Sequence, residues 1–185
     1  TTLTAALSAR SAARFGGQST GGDKMPELAS TQALDTFPRL LFHHAQVRAS
    51  KTAMREKDLG IWQCWTWLEV AAEVRALACG LAEMGFTRGE NLAIVGDNRP
   101  RMYMMMAAVQ CLGGVPVPLY QDAVANELLF VLLDGEIRFA FVEDQEQVDK
   151  VLEIQAQLPH LEHLFYDDAR GMRHYTQAFI HDVRE

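Results

Sequence analysis

A chain of 185 residues, of which 49% are hydrophobic and 22% charged, has the composition of a folded domain with a sizeable core. Its formal net charge is −7 and its Lys and Arg residues are scattered, so the sequence offers no basic stripe to nucleic acid. No apolar run approaches the roughly 20 residues that a membrane-spanning helix needs.

The first 30 residues differ in composition from the rest of the chain. Residues 1–30 are rich in Gly, Ser, Thr and Ala and poor in acidic residues, which predicts a disordered leader ahead of a domain over residues 31–185. Arg10 and Arg14 in this context are also typical of an organellar transit peptide. Met25 lies just ahead of the patterned sequence, so a mispredicted start is another interpretation. These interpretations stay open.

From residue 36 onward the sequence becomes patterned. Residues 36–50 carry apolar side chains at helical spacing. Residues 52–57 and 60–65 have the pattern of two paired strands, and Asp58-Leu59-Gly60 between them is a hairpin signal. The sequence therefore predicts a helix followed by an antiparallel hairpin.

A second helix is predicted directly after the hairpin. Thr66 and Glu69 have the spacing of a capping box, in which each side chain bonds a free backbone N–H of the other residue. Apolar residues follow at helical spacing, and Gly85 is the expected end of the helix.

The next segment predicts a β-α-β unit. Residues 91–96 are nearly all apolar, as in a strand buried on both faces. Asn98 is the predicted cap of the following helix, with Pro100 in its first turn. Gly113-Gly114 is the predicted helix end, and residues 115–119 form the next strand.

The last part of the chain continues the alternation. A helix is predicted over residues 126–133, a strand over 138–142, a helix capped by Asp144, and a last strand over 162–166. Alternating strands and helices favour an α/β fold with a mostly parallel sheet covered by helices.

Several catalytic signatures are missing from the sequence. Neither G-x-G-x-x-G nor G-x-x-x-x-G-K-[S/T] occurs, which argues against a dinucleotide-binding dehydrogenase and a P-loop enzyme. No serine follows Ser50, so the G-x-S-x-G nucleophile turn of a hydrolase is excluded from the patterned region.

The cysteines predict no redox framework. Cys64, Cys79 and Cys111 each stand singly among apolar residues, and no C-x-x-C occurs. The odd count argues against a disulfide framework. The apolar neighbours favour buried, reduced thiols in a cytosolic protein over redox or metal chemistry. Cys111 lies in an apolar helix with no His near it in sequence, so it is expected to be an inert core thiol rather than a nucleophile.

Histidine and acidic pairs are weak candidates for chemistry. His43-His44 and His160 with His163 lack a third ligand at a metal-binding spacing, so no metal site is expected. Glu143-Asp144 and Asp167-Asp168 follow predicted strands. Adjacent side chains point apart, which favours solvated loop and capping roles over a catalytic carboxylate pair.

One turn keeps a functional interpretation. Gly96-Asp97-Asn98-Arg99 follows a strand and opens a helix, where ligands of open α/β sheets gather and where free N–H groups attract anions. The competing interpretation, which the sequence favours, is plain capping by Asn98 beside an exposed Arg99.

Three stretches resemble bacterial long-chain acyl-CoA synthetases of the adenylate-forming, AMP-binding superfamily. Residues 66–69, with Gly80-Leu81 and Gly85, resemble the family's early helix. Residues 94–122 resemble its "GDN-P" turn followed by "GGVPVPLYQD". Residues 141–150, FVEDQEQVDK, are similar to a segment of the long-chain members. The resemblance extends from about residue 36 to 175.

The resemblance implies a fatty-acid:CoA ligase that uses ATP, Mg²⁺ and CoA. The fatty acid would be adenylated first, and CoA would then displace AMP to form the thioester. A glycine-rich loop, a lysine and Mg²⁺ would neutralise charge at the transferred phosphate. A cytoplasmic location with peripheral membrane contact is expected for such an enzyme.

The family's catalytic motifs have no counterpart in this sequence. Its Ser/Thr/Gly-rich phosphate loop ending in Pro-Lys-Gly, its ribose-binding acidic motif, its hinge and its C-terminal lysine are unmatched. No catalytic, cofactor-binding or metal-binding residue is therefore assigned to this chain. Gly113, Gly114, Pro116 and Pro118 are expected to be structural, and Tyr103 a packing substitution for the family's Trp.

We therefore expect an N-terminal segment of a long-chain acyl-CoA synthetase, inactive alone and completed by the remainder of the synthetase chain. On this hypothesis ATP, Mg²⁺ and CoA bind the segment poorly. The alternative is a naturally truncated, non-catalytic binding module of the same fold, which would need a partner for its exposed apolar sheet face. A complete small nucleotide-binding enzyme lacks a phosphate loop to support it.

Overall fold

Helices and strands alternate in the computed structural model, which describes residues 34–184. The helices are α1 (Phe37–Val47), α2 (Trp67–Glu83), α3 (Pro100–Cys111), α4 (Ala125–Asp134) and α5 (Gln145–Ile154). The strands are β1 (Thr52–Asp58), β2 (Ile61–Thr66), β3 (Asn91–Val95), β4 (Val115–Leu119), β5 (Phe139–Val142), β6 (His163–Tyr166) and β7 (Ile180–Asp182). The leader predicted over residues 1–30 lies outside the described residues.

Five strands form one parallel sheet with the spatial order β4-β3-β5-β6-β7. The predicted α/β class with a mostly parallel sheet is therefore confirmed. Strand β3 lies between β4 and β5, with Ile94 opposite Pro118 on one side and Phe141 on the other.

Each face of the sheet has its own apolar core. Leu92 and Ile94 of β3 pack in the cluster that contains the buried residues of α2 and α3. Ala93 and Val95 pack in the opposite cluster, with the buried residues of α4 and α5. Because side chains of a strand alternate between faces, burial on both faces requires the continuous apolar run that predicted β3.

Glycine and proline shape the entry into β4. Gly113 has a φ of +75°, which ends α3 in the left-handed conformation. A Cβ on Gly114 would lie 2.5 Å from the Phe86 ring, so the chain passes too close for any side chain. Pro116 and Pro118 fit β4 because it is an edge strand that pairs with β3 alone.

The predicted hairpin is confirmed as β1 and β2, a separate antiparallel pair. Leu59 and Gly60 have φ values of 45° and 83°, the positive values that a tight two-residue hairpin turn needs at both positions. Met54 and Trp65 are half-buried against the α2–α3 core. The hairpin is thus attached by its base, and its far end is exposed.

The cap of α3 differs from the prediction. Asn98 is not the cap; Arg99 occupies that position, and it makes no side-chain capping bond. Pro100 disfavours helical backbone in the residue before it, so Arg99 is extended, with φ −105° and ψ 155°. Asn98 instead accepts a hydrogen bond from the Tyr103 hydroxyl at 3.1 Å. Tyr103 is 46% exposed, so it is not the packing residue that we expected.

The predicted last strand, now β6, is followed by one more. Strand β7 extends the sheet in parallel, with Leu164 opposite Ile180. It was missed because it has only three residues, all half-buried, and therefore carries no continuous apolar run.

The burial predicted for the cysteines is partly wrong. Cys64 and Cys79 are exposed and Cys111 is half-buried, and all three are free thiols. Cys79 follows the buried Ala78 on α2 but lies outside that helix's buried stripe. Burial raises the pKa of the Cys111 thiol, which disfavours the reactive thiolate.

Within residues 34–184, no helix has the length and apolar character required to cross a bilayer.

The capping box of α2 is confirmed, and it makes a testable contribution to stability. The Thr66 hydroxyl accepts from the Glu69 N–H at 3.3 Å, and the Glu69 carboxylate accepts from the Thr66 N–H at 2.7 Å. These bonds to the Thr66 N–H and hydroxyl lower the pKa of Glu69.

We expect Thr66→Ala to lower the free energy of unfolding by about 1 kcal/mol at neutral pH. A lowered carboxyl pKa contributes stability above its ordinary value and loses it as pH falls, so the difference from wild type should shrink in acid. Urea midpoints at pH 7 and in acid measure this effect. Thr176→Ala, at an exposed position, is the control. Equal losses from both variants would contradict the capping role.

Candidate functional site

Charged residues gather at the carboxyl edge of the parallel sheet. This edge carries the turn after β3, which was the functional candidate in the sequence, and both acidic pairs, which follow β5 and β6. Parallel strands end at the same edge, so side chains distant in sequence meet there.

Glu143 holds the turn between β3 and α3. One of its carboxylate oxygens lies 2.5 Å from the Arg99 guanidinium, and the other accepts from the Asp97 backbone N–H at 2.6 Å. The Glu143 side chain is only 14% exposed. The residue that follows β5 thus fixes the turn that follows β3.

Asp167 performs a similar role after β6. Its Oδ1 lies 2.8 Å from the Arg101 guanidinium and 2.9 Å from that of Arg184. Arg101 also lies 3.1 Å from Glu73 of α2. This network therefore connects α2, α3 and the strands β6 and β7.

The solvated loop role predicted for the acidic pairs is wrong for one member of each pair. Glu143 and Asp167 are 14% and 16% exposed and are held by ion pairs. Asp144 has the predicted capping role, since its carboxylate accepts from the Gln147 N–H. Asp168 pairs with Arg170. In each pair the two side chains have separate partners, which agrees with the prediction that they point apart.

A cavity of about 250 Å³ lies at this edge beneath the hairpin turn. Its lining residues are mostly charged: Glu56, Asp58, Leu59, Arg99, Glu143, Asp167, Asp168, Arg170 and Arg184. Five carboxylates therefore face three guanidinium groups, so the cavity has a negative excess.

The surroundings of the cavity shift the pKa values of two of its carboxyl groups in opposite directions. The bond to Arg170 lowers the pKa of Asp168. Partial burial raises the pKa of Glu56, the charges of Asp167 and Asp58 add to the rise, and Arg99 opposes it. The cavity consequently disfavours additional negative charge.

These contacts argue against an anion site at the predicted turn. Arg99, Arg101, Arg170 and Arg184 each pair with a carboxylate, so an incoming phosphate would compete with an existing ion pair. The first helical residue of α3 is Pro100, which has no N–H to donate. The structure therefore gives this turn a positioning role: Asn98 is not the cap, and the Arg99 side chain, although 42% exposed, is paired with Glu143.

One of the two histidine pairs considered in the sequence is in contact, with 5.6 Å between the ring centroids of His43 and His44. In the second pair, His163 contacts instead His181 of the unpredicted β7, with 3.2 Å between Nδ1 and Nε2. Burial lowers the pKa of both imidazoles. The His44 ring packs on Trp67, with 4.8 Å between centroids. Across residues 34–184, no three His, Cys, Asp or Glu side chains are grouped to hold a metal ion.

A larger groove of about 740 Å³ lies between α2 and the edge strand β7. Leu81 and Met84 of α2 line one side, and Phe165 and Ile180 of the sheet line the other. The groove is apolar at these positions and has charged residues, such as Arg101, among its lining.

The fold and the site define an α/β domain with a parallel sheet. At the carboxyl edge of this sheet, arginine side chains are held in ion pairs with carboxylates. The sequence profile of the family "AMP-binding enzyme" matches residues 41–181, which is most of the chain. The chain therefore belongs to the AMP-binding enzyme family, and the predicted resemblance is confirmed.

Individual relatives agree with this assignment. The chain is 27% identical over 127 residues to long-chain-fatty-acid–CoA ligase FadD15 of Mycobacterium bovis, a match that covers 69% of this chain and 21% of the relative. It thus spans about a fifth of that ligase's length. An uncharacterized Mycobacterium tuberculosis protein, Rv1549, is 29% identical over 99 residues, which are 54% of this chain and 56% of the relative.

A solved structure shows the same fold. Acetoacetyl-CoA synthetase from Streptomyces lividans superposes with a TM-score of 0.71 at 20% identity, covering 80% of this chain and 24% of that one. The similarity places the described sheet and helices within the architecture of an adenylate-forming CoA ligase.

Substitution of Gly96 tests the close contact between the turn after β3 and the Glu143 side chain. A Cβ on Gly96 would lie 2.7 Å from the Glu143 Cβ, closer than real side chains approach. We expect Gly96→Ala to lower the free energy of unfolding by about 1–3 kcal/mol, the usual cost of overpacking. Chemical denaturation measures the change. Gly80→Ala is the matched control, because nothing lies within 4 Å of its added Cβ. A neutral Gly96→Ala would contradict the close packing of the turn.

Substitution of Glu56 tests the effect of the excess negative charge in the cavity. A raised carboxyl pKa contributes stability below its ordinary value and loses it as pH rises, so ionised Glu56 destabilises the fold at neutral pH. We expect Glu56→Gln to raise the melting temperature at pH 7. The gain should vanish below about pH 4, where the carboxyl is protonated in both states.

Glu153→Gln makes the same chemical change at an exposed position on α5 and serves as the control. A lower melting temperature for Glu56→Gln at pH 7 would show that the attraction of Arg99 exceeds the cost of burial.

Proposed function

We propose that this chain contributes the first sheet of a long-chain-fatty-acid:CoA ligase that forms AMP. The observation that carries the proposal is the family match from residue 41 to 181, which takes in strands β3, β4, β5 and β6 and the first two residues of β7. The similarity to FadD15 supports the long-chain substrate class. The parent enzyme would use ATP, Mg²⁺, CoA and a fatty acid.

The described residues do not fit the ATP and Mg²⁺ of that reaction. The arginines at the carboxyl edge are paired with carboxylates, and the cavity they border has a negative excess that would repel a triphosphate. The sequence contains no phosphate-binding glycine loop. We therefore derive no catalytic step through these residues.

The role that we assign to this segment is positional. Glu143 and Asp167 hold the loops after β3 and β6 in fixed positions through bonds of 2.5 to 2.9 Å. A catalytic surface built against this edge needs such rigid support, because small displacements of reacting groups are costly. The adenylation chemistry itself would come from other parts of the parent enzyme.

A chimera tests the proposal. We would replace the matching segment of FadD15 with residues 34–184. The formation of palmitoyl-CoA from palmitate would be measured, with the formation of acetyl-CoA from acetate as the short-chain comparison. We expect activity with palmitate, and no fatty-acyl-AMP above a blank from the 185-residue chain alone. Gly96→Ala in the chimera should reduce activity, and Gly80→Ala should not.

Two outcomes would contradict the proposal. A folded chimera without palmitate activity would remove the ligase assignment. Fatty-acyl-AMP formed by the chain alone would show that it carries its own catalytic site.

The second candidate function is a non-catalytic binding module of the same fold. Two observations favour it: the similarity to Rv1549, of which 56% is covered, and the groove of mixed apolar and charged lining beside β7. Clean monomeric behaviour with one cooperative melt would support this module, whereas aggregation would support an incomplete sheet.

We also propose a cytoplasmic location. The three cysteines are free thiols, two of them exposed, which suits a reducing compartment. Localisation of the tagged protein by fractionation tests this point.

A further inference from the structure

Two histidines join the last two strands of the parallel sheet. His163 lies on β6 and His181 on β7, and 3.2 Å separates the Nδ1 atom of His163 from the Nε2 atom of His181. Strand β7 is at the edge of the sheet and pairs with β6 at three positions. The imidazole contact therefore adds a side-chain bond to the few backbone bonds that hold β7.

A hydrogen bond between two imidazoles requires that at least one ring is neutral. A neutral ring has one N–H donor and one acceptor nitrogen, whereas both nitrogens of the imidazolium form are donors. When both rings are protonated, two donors and two positive charges face each other across the same 3.2 Å. The contact is therefore attractive until the second proton binds and repulsive afterwards.

The rings around the pair are aromatic and disfavour charge. The centroid of the His163 ring lies 4.9 Å from that of Phe139, and the His181 ring lies 5.4 Å from that of Phe165. Both histidines are half-buried. Burial lowers the pKa of both imidazoles, and the charge of His163 lowers the pKa of His181 further.

The charges near His163 come from β5 and from the residue before β6. Glu162 favours protonation of His163, and Arg138 opposes it, but burial has the larger effect on the pKa. Arg138 also pairs with Glu90 and Glu162, so the Glu162 carboxylate is already bound to a guanidinium. The protonated form of His163 is therefore only weakly compensated.

The charges near His181 lie in the groove between α2 and β7. Glu73, Arg101, Asp182 and Arg184 line this groove with His181. Arg101 lies 3.1 Å from the Glu73 carboxylate, and the Asp182 carboxylate accepts from the Arg184 backbone N–H at 2.9 Å. Both carboxylates that line the groove within residues 34–184 thus have partners that a protonated His181 would have to displace.

We propose that the His163–His181 contact makes the attachment of β7 sensitive to acid: the pair holds β7 on the sheet at neutral pH and releases it when both imidazoles are protonated. Release would remove the β7 wall of the groove beside α2 and separate Arg184 from Asp167. This inference does not depend on the ligase proposal, because the opening of a strand is measured without substrate.

Amide hydrogen exchange of the 185-residue chain, followed by NMR, tests the proposal. The Leu164 N–H donates to the Phe179 carbonyl at 2.8 Å, and the Val183 N–H donates to the Tyr166 carbonyl at 3.0 Å, so both amides report on β6–β7 pairing. Each rate is divided by the intrinsic exchange rate at the same pH to give a protection factor. Groups with a lowered imidazole pKa bind more protons in the open state, so stability is lost as pH falls below about 6.5.

We expect these two protection factors to fall below about pH 6.5 by roughly tenfold per pH unit for each proton taken up on opening. The slope therefore counts the histidines that take part. The Glu143 N–H, which donates to the Val95 carbonyl at 2.9 Å in the centre of the sheet, should keep its protection over the same range.

A matched pair of variants assigns the effect to these side chains. His163→Gln/His181→Gln retains polar side chains that can bond each other but cannot titrate, so it should abolish the pH dependence. His174→Gln makes the same change at an exposed histidine outside the pair and should retain the dependence.

Titration of the imidazole ring signals in the wild type keeps the test independent of folding defects in the variants. We expect the His163 and His181 signals to have midpoints below about 6.5, the ordinary value for histidine. Four outcomes would overturn the proposal: constant protection of Leu164 and Val183, an equal fall at Glu143, an unchanged pH dependence in the double variant, or ring midpoints at or above the ordinary value.

Discussion

The carboxylate of Glu143 is the group on which the carboxyl edge of the sheet depends. It binds the Arg99 guanidinium and the Asp97 N–H together, so the end of β5 holds the start of α3. Because the carboxylate is largely withdrawn from water, its removal would leave a donor and a cation with reduced solvation. Gly96 permits this contact, since a Cβ there would collide with Glu143.

The same constraint explains why this edge is not a phosphate site. Loops that follow parallel strands converge, and their charges must find partners within the edge or remain costly. Arg99, Arg101 and Arg184 are matched to Glu143 and Asp167. In the function that we propose, the edge is a rigid foundation, and the chemistry of adenylation takes place on residues supplied elsewhere.

The alternation of β1 sorts its charges between two environments. Arg55 and Lys57 lie on the outer face, and Glu56 and Asp58 face the cavity. Because successive side chains of a strand point to opposite faces, the alternating charges of β1 give one face a positive potential and the other a negative one. The inner face lines the cavity at the carboxyl edge of the sheet, whereas Arg55 and Lys57 on the outer face are exposed to solvent.

Local signals in the sequence determined the alternation of strands and helices, the hairpin turn, the capping box at Thr66 and the family resemblance, because each depends on residues a few positions apart. Tertiary structure alone decided which charges meet: Asp97 and Glu143 are 46 residues apart and touch because β5 lies beside β3. It also decided that the short β7 joins the sheet, since its strand character comes from pairing with β6 and not from an apolar run. Strand order is a property of the assembled sheet, and no short-range pattern encodes it.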